Sequence, residues 1–392
     1  MIYAALFISF LFFVLFDLIK QTESRRNAML MGAILFLLVA LRASAVGPDT
    51  SSYIQLFNTG IYGNDLRDME ALFLGWSSLW KSVGIGEQAY LIICAIVSIG
   101  SVVYVIWKTS AQRVWSYALF VFVFSWYFYL SGIRQSIAMG CFSMGVYLLN
   151  KNLDFTSLAD DRFTAQMTGV KRWIALLSRE FRRFFNRNNL AALFFIALAP
   201  MFHTSALFAV LVLFIVLLDK GRGRYFYIIA ISVSFLITVS GVFRSAEQIL
   251  ENGFNMLSGD MDISGRYEGY LDDEYTYDTS LYLILKSCLP INFIALLALL
   301  FRKRRFRMFE RFFFWLVILN NLFFYFSYMF RLSMYVYPFA SIAIANLLYP
   351  VARNKNMVVC RIGIAVFLIL SAYVSYVNLV AQPQFDYTFF FS

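Results

Sequence analysis

Apolar runs alternate with short polar stretches from one end of the chain to the other. Most of these runs have the length, about 18 residues or more, that lets a helix cross the hydrocarbon core of a membrane. They cover residues 2–19, 28–46, 88–107, 114–130, 133–149, 190–202, 204–218, 225–243, 280–301, 312–330, 332–350 and 362–380. The pattern predicts an all-α, polytopic integral membrane protein, a helical bundle of about 12 membrane segments in a single transmembrane domain over residues 1–392.

Residues 190–218 form one apolar stretch of 29 residues, which is too long for a single span. As one helix it would measure about 44 Å, against about 30 Å for the hydrocarbon core. Pro200 predicts a break, so we expect a broken helix pair at 190–218 whose arms return to the same side. Its apex, His203, should lie below the membrane surface, where irregular backbone needs protein or a wet cavity around it.

Lysine and arginine predict the orientation, because they concentrate in the short cytoplasmic loops of membrane proteins. Of 33 such residues, 25 fall in alternate loops, at 20–27, 108–113, 150–189, 219–224, 302–311 and 351–361. This distribution predicts that both termini and the loops 47–87 and 244–279 lie on the outer face. The loop 150–189 is then basic and cytoplasmic, and a short amphipathic helix is expected near residues 72–81.

Composition agrees with a membrane protein, with 61% hydrophobic and 14% charged residues. A net charge of +10 would suggest nucleic acid in a soluble protein, but here the basic residues occupy loops between spans, so no nucleic-acid partner is expected. The four cysteines stand alone in or beside apolar segments, and no ligand spacing predicts a metal. Neither a Walker sequence nor G-x-G-x-x-G is present, so we expect no cofactor and a donor that arrives through the membrane.

Two arginines at outer helix ends suggest phosphate recognition. Arg134 follows Ser131-Gly132 and, with Gln135, begins the returning helix, where a forked side chain and free backbone N–H groups suit an anion. Arg331 stands in a short turn between apolar runs, and its alternative role is to anchor an aromatic belt at the interface. Charge-assisted hydrogen bonds to pyrophosphate would contribute about 1.5–3 kcal/mol each.

His203, the only histidine in the chain, is a candidate general base because imidazole exchanges protons near neutral pH. Its alternatives are a phosphate hydrogen bond or a purely structural one. Arg42 lies near the outer end of the second run, seven residues before Asp49, and its alternative role is to snorkel to the headgroups. Asp49 either orients Arg42, serves as an acid or base, or caps a short outer helix.

The ordered motifs resemble the EpsG family, the Wzy-like polymerases of bacterial surface polysaccharides. The resemblance is carried by Leu41-Arg42, Val46-Gly47-Pro48-Asp49-Thr50-Ser51-Ser52-Tyr53, Gly132-Ile133-Arg134-Gln135-Ser136-Ile137-Ala138, Phe202-His203-Thr204-Ser205-Ala206-Leu207 and Arg331 before Tyr335. The stretches 150–189 and 244–279 do not contribute to it.

The resemblance implies a glycosyltransferase of the bacterial inner (cytoplasmic) membrane that makes O-antigen or exopolysaccharide, with both termini periplasmic. It would transfer the growing glycan from undecaprenyl pyrophosphate onto an incoming lipid-linked repeat unit at the periplasmic face. The expected partners are these undecaprenyl-pyrophosphate-linked oligosaccharides, membrane lipid, a Wzz-type chain-length regulator and a Wzx-type flippase. His203 and Asp49 are the expected catalytic residues, and the substrate-binding residues are Arg42, Arg134, Gln135, Arg331, Tyr53, Ser205 and Tyr335.

Two other functions fit the same pattern. One is an O-antigen ligase, or another polyprenyl-phosphate-dependent transferase with a different acceptor. The other is a flippase or transporter for an anionic lipid-linked oligosaccharide. Charged residues confined to the outer end disfavour the transporter, since alternating access needs a polar route near the midplane.

Overall fold

The structure is a computed structural model that describes residues 1–60, 69–124, 126–152, 189–219, 222–242, 281–301, 306–325, 329–353 and 358–391. Its α-helices are α1 Ile2–Lys20, α2 Arg25–Ala40, α3 Thr50–Thr59, α4 Ala71–Ser82, α5 Glu87–Ala95, α6 Ser101–Thr109, α7 Arg113–Phe122, α8 Ile133–Asn152, α9 Leu190–Phe202, α10 Ala206–Leu218, α11 Arg224–Ser240, α12 Leu281–Phe301, α13 Met308–Leu322, α14 Met329–Ser333, α15 Tyr337–Arg353 and α16 Val358–Val380. Short helical turns cover Ile96–Gly100, Trp126–Leu130 and Pro383–Phe385.

The described secondary structure is helical apart from one isolated β-bridge between Arg42 and Phe389, which confirms the all-α prediction. Three helices are long and apolar enough to cross a membrane, namely Ile2–Lys20, Glu87–Thr109 and Val358–Val380. Shorter apolar helices accompany them, including α9 and α10. The chain is therefore a helical membrane protein, while the total of about 12 segments stays a prediction.

The chain forms two compact units. The first comprises Met1–Lys220, Arg307–Phe312 and Met334–Ser392, and the second comprises Gly221–Phe306 and Phe313–Ser333. The prediction of one transmembrane domain over 1–392 stays a prediction. The loops expected at 150–189 and 244–279 lie almost wholly outside the described residues.

Glycine allows α8 to pack closely within the first unit. A Cβ at Gly140 would overlap the carbonyl oxygen of Val97, in the π-helical turn Ile96–Gly100 between α5 and α6. A Cβ at Gly145 would lie 2.6 Å from the side chain of Ile196 on α9. The small residues therefore let α8 approach both neighbours, as small residues do between membrane helices. This packing holds the start of α8 and the end of α9 in one unit.

Buried amides join the helices of the second unit. Asn292 of α12 and Asn321 of α13 exchange two hydrogen bonds, each 2.8 Å from amide nitrogen to amide oxygen. Asn321 Nδ2 also donates to Ser234 Oγ of α11 at 2.9 Å. Because unsatisfied polar groups are costly in an apolar interior, this network favours one register of the three helices.

The broken helix pair has its break at residues 203–205 and not at Pro200. Pro200 lies inside α9, which continues to Phe202, and His203 then adopts an extended conformation with φ −158° and ψ 118°. The Ala206 N–H donates to the His203 carbonyl at 2.9 Å, so a tight turn starts α10. Proline removes one backbone donor near the end of α9, whereas the extended backbone at His203 ends the helix. The polar turn, and not the proline, sets the position of the apex.

Candidate active site

A carboxylate at the start of α4 lies at the centre of a polar cluster. Glu70 directly precedes α4, and its Oε2 accepts a hydrogen bond from Nη1 of Arg134 at 2.8 Å. Its Oε1 lies 3.0 Å from Nδ1 of His203 and accepts from the backbone N–H of Thr204 at 2.9 Å. The two oxygens therefore connect the start of α8 with the break between α9 and α10. We call Glu70, Arg134, His203 and Thr204 the Glu70 cluster.

Aromatic packing fixes α4 beside this break. The ring of Trp76 on α4 meets Phe202, the last residue of α9, edge to face with centroids 5.8 Å apart. On the other side Phe73 of α4 is fully buried and meets the ring of Tyr53 on α3 at 5.5 Å. Aromatic pairs of this geometry contribute about 0.5–1.5 kcal/mol beyond their buried area. Tyr53, expected to bind substrate, thus has a packing role next to the site.

The side chains of Glu70, Arg134 and His203 are partly buried and keep some contact with solvent. Relative exposure of the side chains is 12% for Glu70, 20% for Arg134 and 21% for His203. Burial alone raises the pKa of Glu70, but the hydrogen bond with His203, the charge of Arg134 and the Thr204 N–H outweigh it and lower the pKa to about 2. Glu70 is therefore ionised at neutral pH. Its charge also offsets the unfavourable position of an arginine at a helix N-terminus.

Two hydroxyl groups flank the break. Ser205 Oγ lies 2.9 Å from the hydroxyl oxygen of Tyr335, which lies two residues before the start of α15. Tyr335 is fully buried, and its ring meets Phe142 of α8 edge to face at 6.1 Å. Gln135 follows Arg134 on α8 and is 4% exposed. Four of the expected site residues, Arg134, His203, Ser205 and Tyr335, are thus linked by contacts around one turn.

Asp49 makes its side-chain contact with the turn just before α8. Its Oδ2 accepts a hydrogen bond from Ser131 Oγ at 2.9 Å, and Thr50 Oγ1 donates to the Leu130 carbonyl at 2.9 Å. Asp49 occupies the N-cap position of α3, yet its side chain does not cap that helix. It instead fastens residues 47–50 to the turn that leads into Arg134. The carboxylate that contacts His203 is that of Glu70.

Arg42 is enclosed by protein and does not reach out to the headgroups. Its side chain is 1% exposed, and its Nη1 donates to the Val39 carbonyl at the end of α2. Residues 384–390 cover it by pairing with residues 41–47. In this pairing the N–H of Ala43 donates to the carbonyl of Thr388 at 3.0 Å, and the N–H of Gly47 donates to the carbonyl of Gln384 at 2.8 Å. In the opposite direction, the N–H of Phe390 donates to the carbonyl of Leu41 at 3.2 Å.

Arg331 belongs to the second unit, where it lies on the short helix α14 with an exposed side chain. Its expected role in pyrophosphate binding stays a prediction.

Within the ranges that the structure describes, no group of three histidine, cysteine or acidic side chains is arranged to hold a metal ion. The Glu70 cluster itself contains a guanidinium, which can bind an anion, and an imidazole, which can exchange a proton.

Glu70 is the residue that sequence reasoning missed. It is separated by 64 positions from Arg134 and by 133 from His203, so nothing local connects the three. The available signal was weak: an acidic residue directly before the expected amphipathic helix, which the structure has at α4. Several acidic residues share that outer loop, and only the tertiary contacts distinguish this one.

Comparison with protein families gives one match, the model of the EpsG family, over residues 25–159 and 173–389. The matched ranges include all four residues of the Glu70 cluster together with Arg42, Asp49 and Arg331. Neither the curated proteins nor the solved structures yield a match. Because the family model covers most of the sequence, the chain belongs to the EpsG family.

Proposed function

We propose that this protein is a polysaccharide polymerase of the bacterial inner membrane. It would transfer a growing glycan from undecaprenyl pyrophosphate onto an incoming lipid-linked repeat unit at the periplasmic face. EpsG membership supports a polymerase-like glycosyltransferase in surface polysaccharide synthesis. The observation that carries the mechanism is the Glu70 cluster, in which one carboxylate contacts both an arginine at a helix start and the only histidine.

Arg134 is proposed to bind the pyrophosphate of the donor. It is the second residue of α8, so an anion there can contact the guanidinium at the positive end of the helix. Charge-assisted bonds strengthen as negative charge develops on the leaving group, which stabilises the transition state. Arg331 is the second proposed phosphate ligand, and Gln135, Ser205 and Tyr335 are proposed to bind the glycan. Arg42, Asp49 and Tyr53 are proposed to shape the pocket.

His203 is proposed to be the general base. Its Nδ1 faces Glu70, which leaves Nε2 for the acceptor hydroxyl. The hydroxyl proton passes to Nε2 while the acceptor oxygen forms a bond to the anomeric carbon of the donor glycan. The bond from that carbon to the pyrophosphate breaks, and undecaprenyl pyrophosphate leaves with the electron pair. Asp49, fastened to Ser131, is the second candidate for the base.

The proposed periplasmic location is supported by the lack of a nucleotide-binding motif in the sequence, since a lipid-linked donor already carries the energy of transfer. Supply of that donor requires a Wzx-type flippase, and a Wzz-type regulator would set the chain length.

The phenotype of a deletion strain distinguishes a polymerase from a ligase. A deletion strain that accumulates single-repeat lipopolysaccharide supports a polymerase, whereas loss of all attached O-antigen supports a ligase. The transporter alternative predicts that purified protein moves lipid-linked units without extending them.

The direct test is polymerisation by purified protein in lipid nanodiscs. The substrate is undecaprenyl-pyrophosphate-linked repeat units extracted from a strain that lacks this protein. We expect a ladder of extended products from the wild type. Arg134→Lys should reduce the yield at least about tenfold, because lysine keeps the charge but loses the planar fork.

Arg25→Lys is the matched control, since Arg25 is also an arginine at a helix start but is exposed on the predicted cytoplasmic side. It should behave as the wild type. A wild-type protein that is folded and produces no ladder would refute the polymerase proposal. Full activity of Arg134→Lys would instead remove Arg134 from the phosphate site.

A further inference from the structure

We infer that Glu70 is a positioning residue that holds His203 in the orientation of a base and couples it to Arg134. This inference rests on the proposed function and extends it to a residue that contacts neither the donor nor the acceptor. It assigns Glu70 the part that a carboxylate plays behind a catalytic histidine in other transferases and hydrolases. The role follows from the partners of the two carboxylate oxygens, of which one contacts His203 and the other contacts Arg134.

The oxygen Oε1 faces the helix break. It accepts from the backbone N–H of Thr204 at 2.9 Å and lies 3.0 Å from Nδ1 of His203. The hydroxyl of Thr204 also donates to Oε1, at 3.4 Å. An ionised carboxylate can only accept hydrogen bonds. The proton between Oε1 and the imidazole must therefore be on Nδ1 of His203. The neutral imidazole therefore carries its free electron pair on Nε2, the nitrogen that a base needs.

The oxygen Oε2 faces Arg134, with Nη1 at 2.8 Å. A phosphate that binds this guanidinium competes with Oε2 for its donors. As the bond to Arg134 weakens, more of the negative charge of Glu70 acts on the imidazole. Binding of an anionic donor thus favours uptake of a proton by His203, so that the base gains strength when the leaving group is in position.

Glu70 itself does not accept the proton. The hydrogen bond and charges around it keep its pKa near 2 despite burial, so it remains a carboxylate while the imidazole changes charge. Among the residues that the structure describes, the titratable or charged groups in contact around the turn are Glu70 directly before α4, Arg134 on α8 and Tyr335 in the segment before α15. Of these, only Glu70 favours a protonated imidazole by charge, and Arg134 opposes it.

The alternative is that Glu70 merely fastens α4 to the helix break. If Glu70 acts only through the Thr204 N–H and makes no lasting contact with the imidazole, its loss lowers the amount or thermal stability of folded protein but leaves the titration of His203 unchanged in the molecules that fold. A positioning role changes that titration. The two explanations therefore differ in a quantity that can be measured without substrate.

The chain contains a single histidine, so selective labelling of the histidine ring with ¹³C gives one resonance for His203. We would titrate this resonance between pH 4 and 9, roughly the range in which imidazole changes charge, in full-length protein purified with a histidine-free tag. The variants are Glu70→Gln, Glu70→Asp and the control Glu87→Gln. Glu87 is an exposed carboxylate of the same outer region, bonded to Asn58 at 2.6 Å.

In Glu70→Gln the midpoint should move to lower pH, because the carboxylate that favours the imidazolium is gone and Arg134 is no longer neutralised by it. Glu70→Asp should restore part of the difference, and Glu87→Gln should titrate as the wild type. An unchanged midpoint in folded Glu70→Gln overturns the inference. If Glu70→Gln does not fold, the Glu70→Asp midpoint decides: it must lie below that of the wild type because the shorter side chain holds the imidazole less closely.

Kinetics provide the second measurement. Glu70→Gln should lower kcat about ten- to hundredfold, less than loss of a base that contributes about 10²- to 10⁴-fold. The KM for the lipid-linked donor should not rise, because Arg134 stays available to phosphate. A rise in KM with unchanged kcat would contradict a positioning role. If the wild type makes no polymer, the proposed function fails on its own, whereas the resonance still reports whether Glu70 controls His203.

Discussion

At the scale of single residues, the site depends on ion pairs in a partly shielded setting. Glu70 has a pKa near 2, below the ordinary carboxylate value of 4.5. Because the folded value is the lower one, the contribution of Glu70 to stability is present above about pH 4.5 and is lost as the pH falls towards 2. Across pH 5–8 this contribution is constant. A change of activity in that range would therefore come from a group other than Glu70.

We expect His203→Ala to leave a folded, membrane-inserted protein that binds donor but polymerises at least about a hundredfold more slowly. His203→Gln distinguishes two roles, since glutamine donates a hydrogen bond to phosphate but takes up no proton at neutral pH. Rates would be measured with purified protein at matched concentrations. If His203→Gln retains normal turnover, the base is elsewhere and Asp49 becomes the leading candidate. The wild-type rate should fall on acidification, because a protonated imidazole cannot act as base.

The sequence identified Arg134 and His203 individually because each interrupts an apolar run, where a charged or polar residue is costly unless it has a function. It also suggested Ser205 and Tyr335 through their motifs. What it could not supply was the partner of His203. Asp49, the other expected catalytic residue, was not predicted to pair with His203; its carboxylate bonds to Ser131, while the contact to His203 comes from Glu70. Pairing of distant side chains depends on tertiary packing, which no local pattern encodes.

At the scale of elements, the segment 47–50 holds the start of α8 through an unusually close approach of the two backbones. Gly47 has φ +90°, a conformation that favours glycine, and a Cβ there would overlap the Leu130 carbonyl oxygen. Asp49 and Thr50 add hydrogen bonds to residues 130 and 131. The position of Arg134 on α8 thus depends on the close approach of Gly47 and on the side-chain hydrogen bonds of Asp49 and Thr50.

We predict that Gly47→Ala lowers the thermal unfolding midpoint more than Gly60→Ala does. Gly60 has a similar φ of +74° but open space around it, so its variant measures the conformational cost alone, roughly 1–2 kcal/mol. Gly47→Ala adds the collision with Leu130. Both variants would be compared by fluorescence-detected unfolding in the same detergent. Equal midpoints would mean that the 47–50 segment moves away from α8 without cost.

Element positions followed from apolar runs where the run and the helix coincide, as for the run 88–107 and the continuous stretch Glu87–Thr109. The run 114–130 does not correspond to a single helix, because α7 ends at Phe122 and a separate 3-10 turn covers Trp126–Leu130. Hydrophobicity indicates which segments are buried, but it does not distinguish an α-helix from a 3-10 or π-helical turn. The π-helical turn at Ile96–Gly100 has the same composition as its flanking helices and could not be predicted for that reason.

At the scale of the whole molecule, orientation decides on which face the proposed site lies. The prediction of an outer site rests on the 25 basic residues in alternate loops. Two described positions test it. Ser78 is exposed on α4, close to Glu70 in the chain, and Thr22 is exposed between α1 and α2, in a loop predicted to be cytoplasmic.

We expect Ser78→Cys to react with an impermeant maleimide in intact spheroplasts and Thr22→Cys to react only after the membrane is permeabilised. Both substitutions would be made after replacement of the four natural cysteines, three of which are buried. Labelling of both positions after permeabilisation is the control for accessibility. Reaction of Thr22→Cys alone in intact cells would put the site on the cytoplasmic face and remove the basis for a periplasmic polymerase.

The pairing of residues 41–47 with residues 384–390 bears on how the protein is made. The second stretch follows α16, so it leaves the ribosome only after every described helix has been synthesised. Until then, the backbone around Arg42 lacks these bonds, and the route from α2 to Asp49 is not yet fixed. Completion of this region is therefore a late step of membrane insertion, one that a nascent chain reaches only once its helices are already available to assemble.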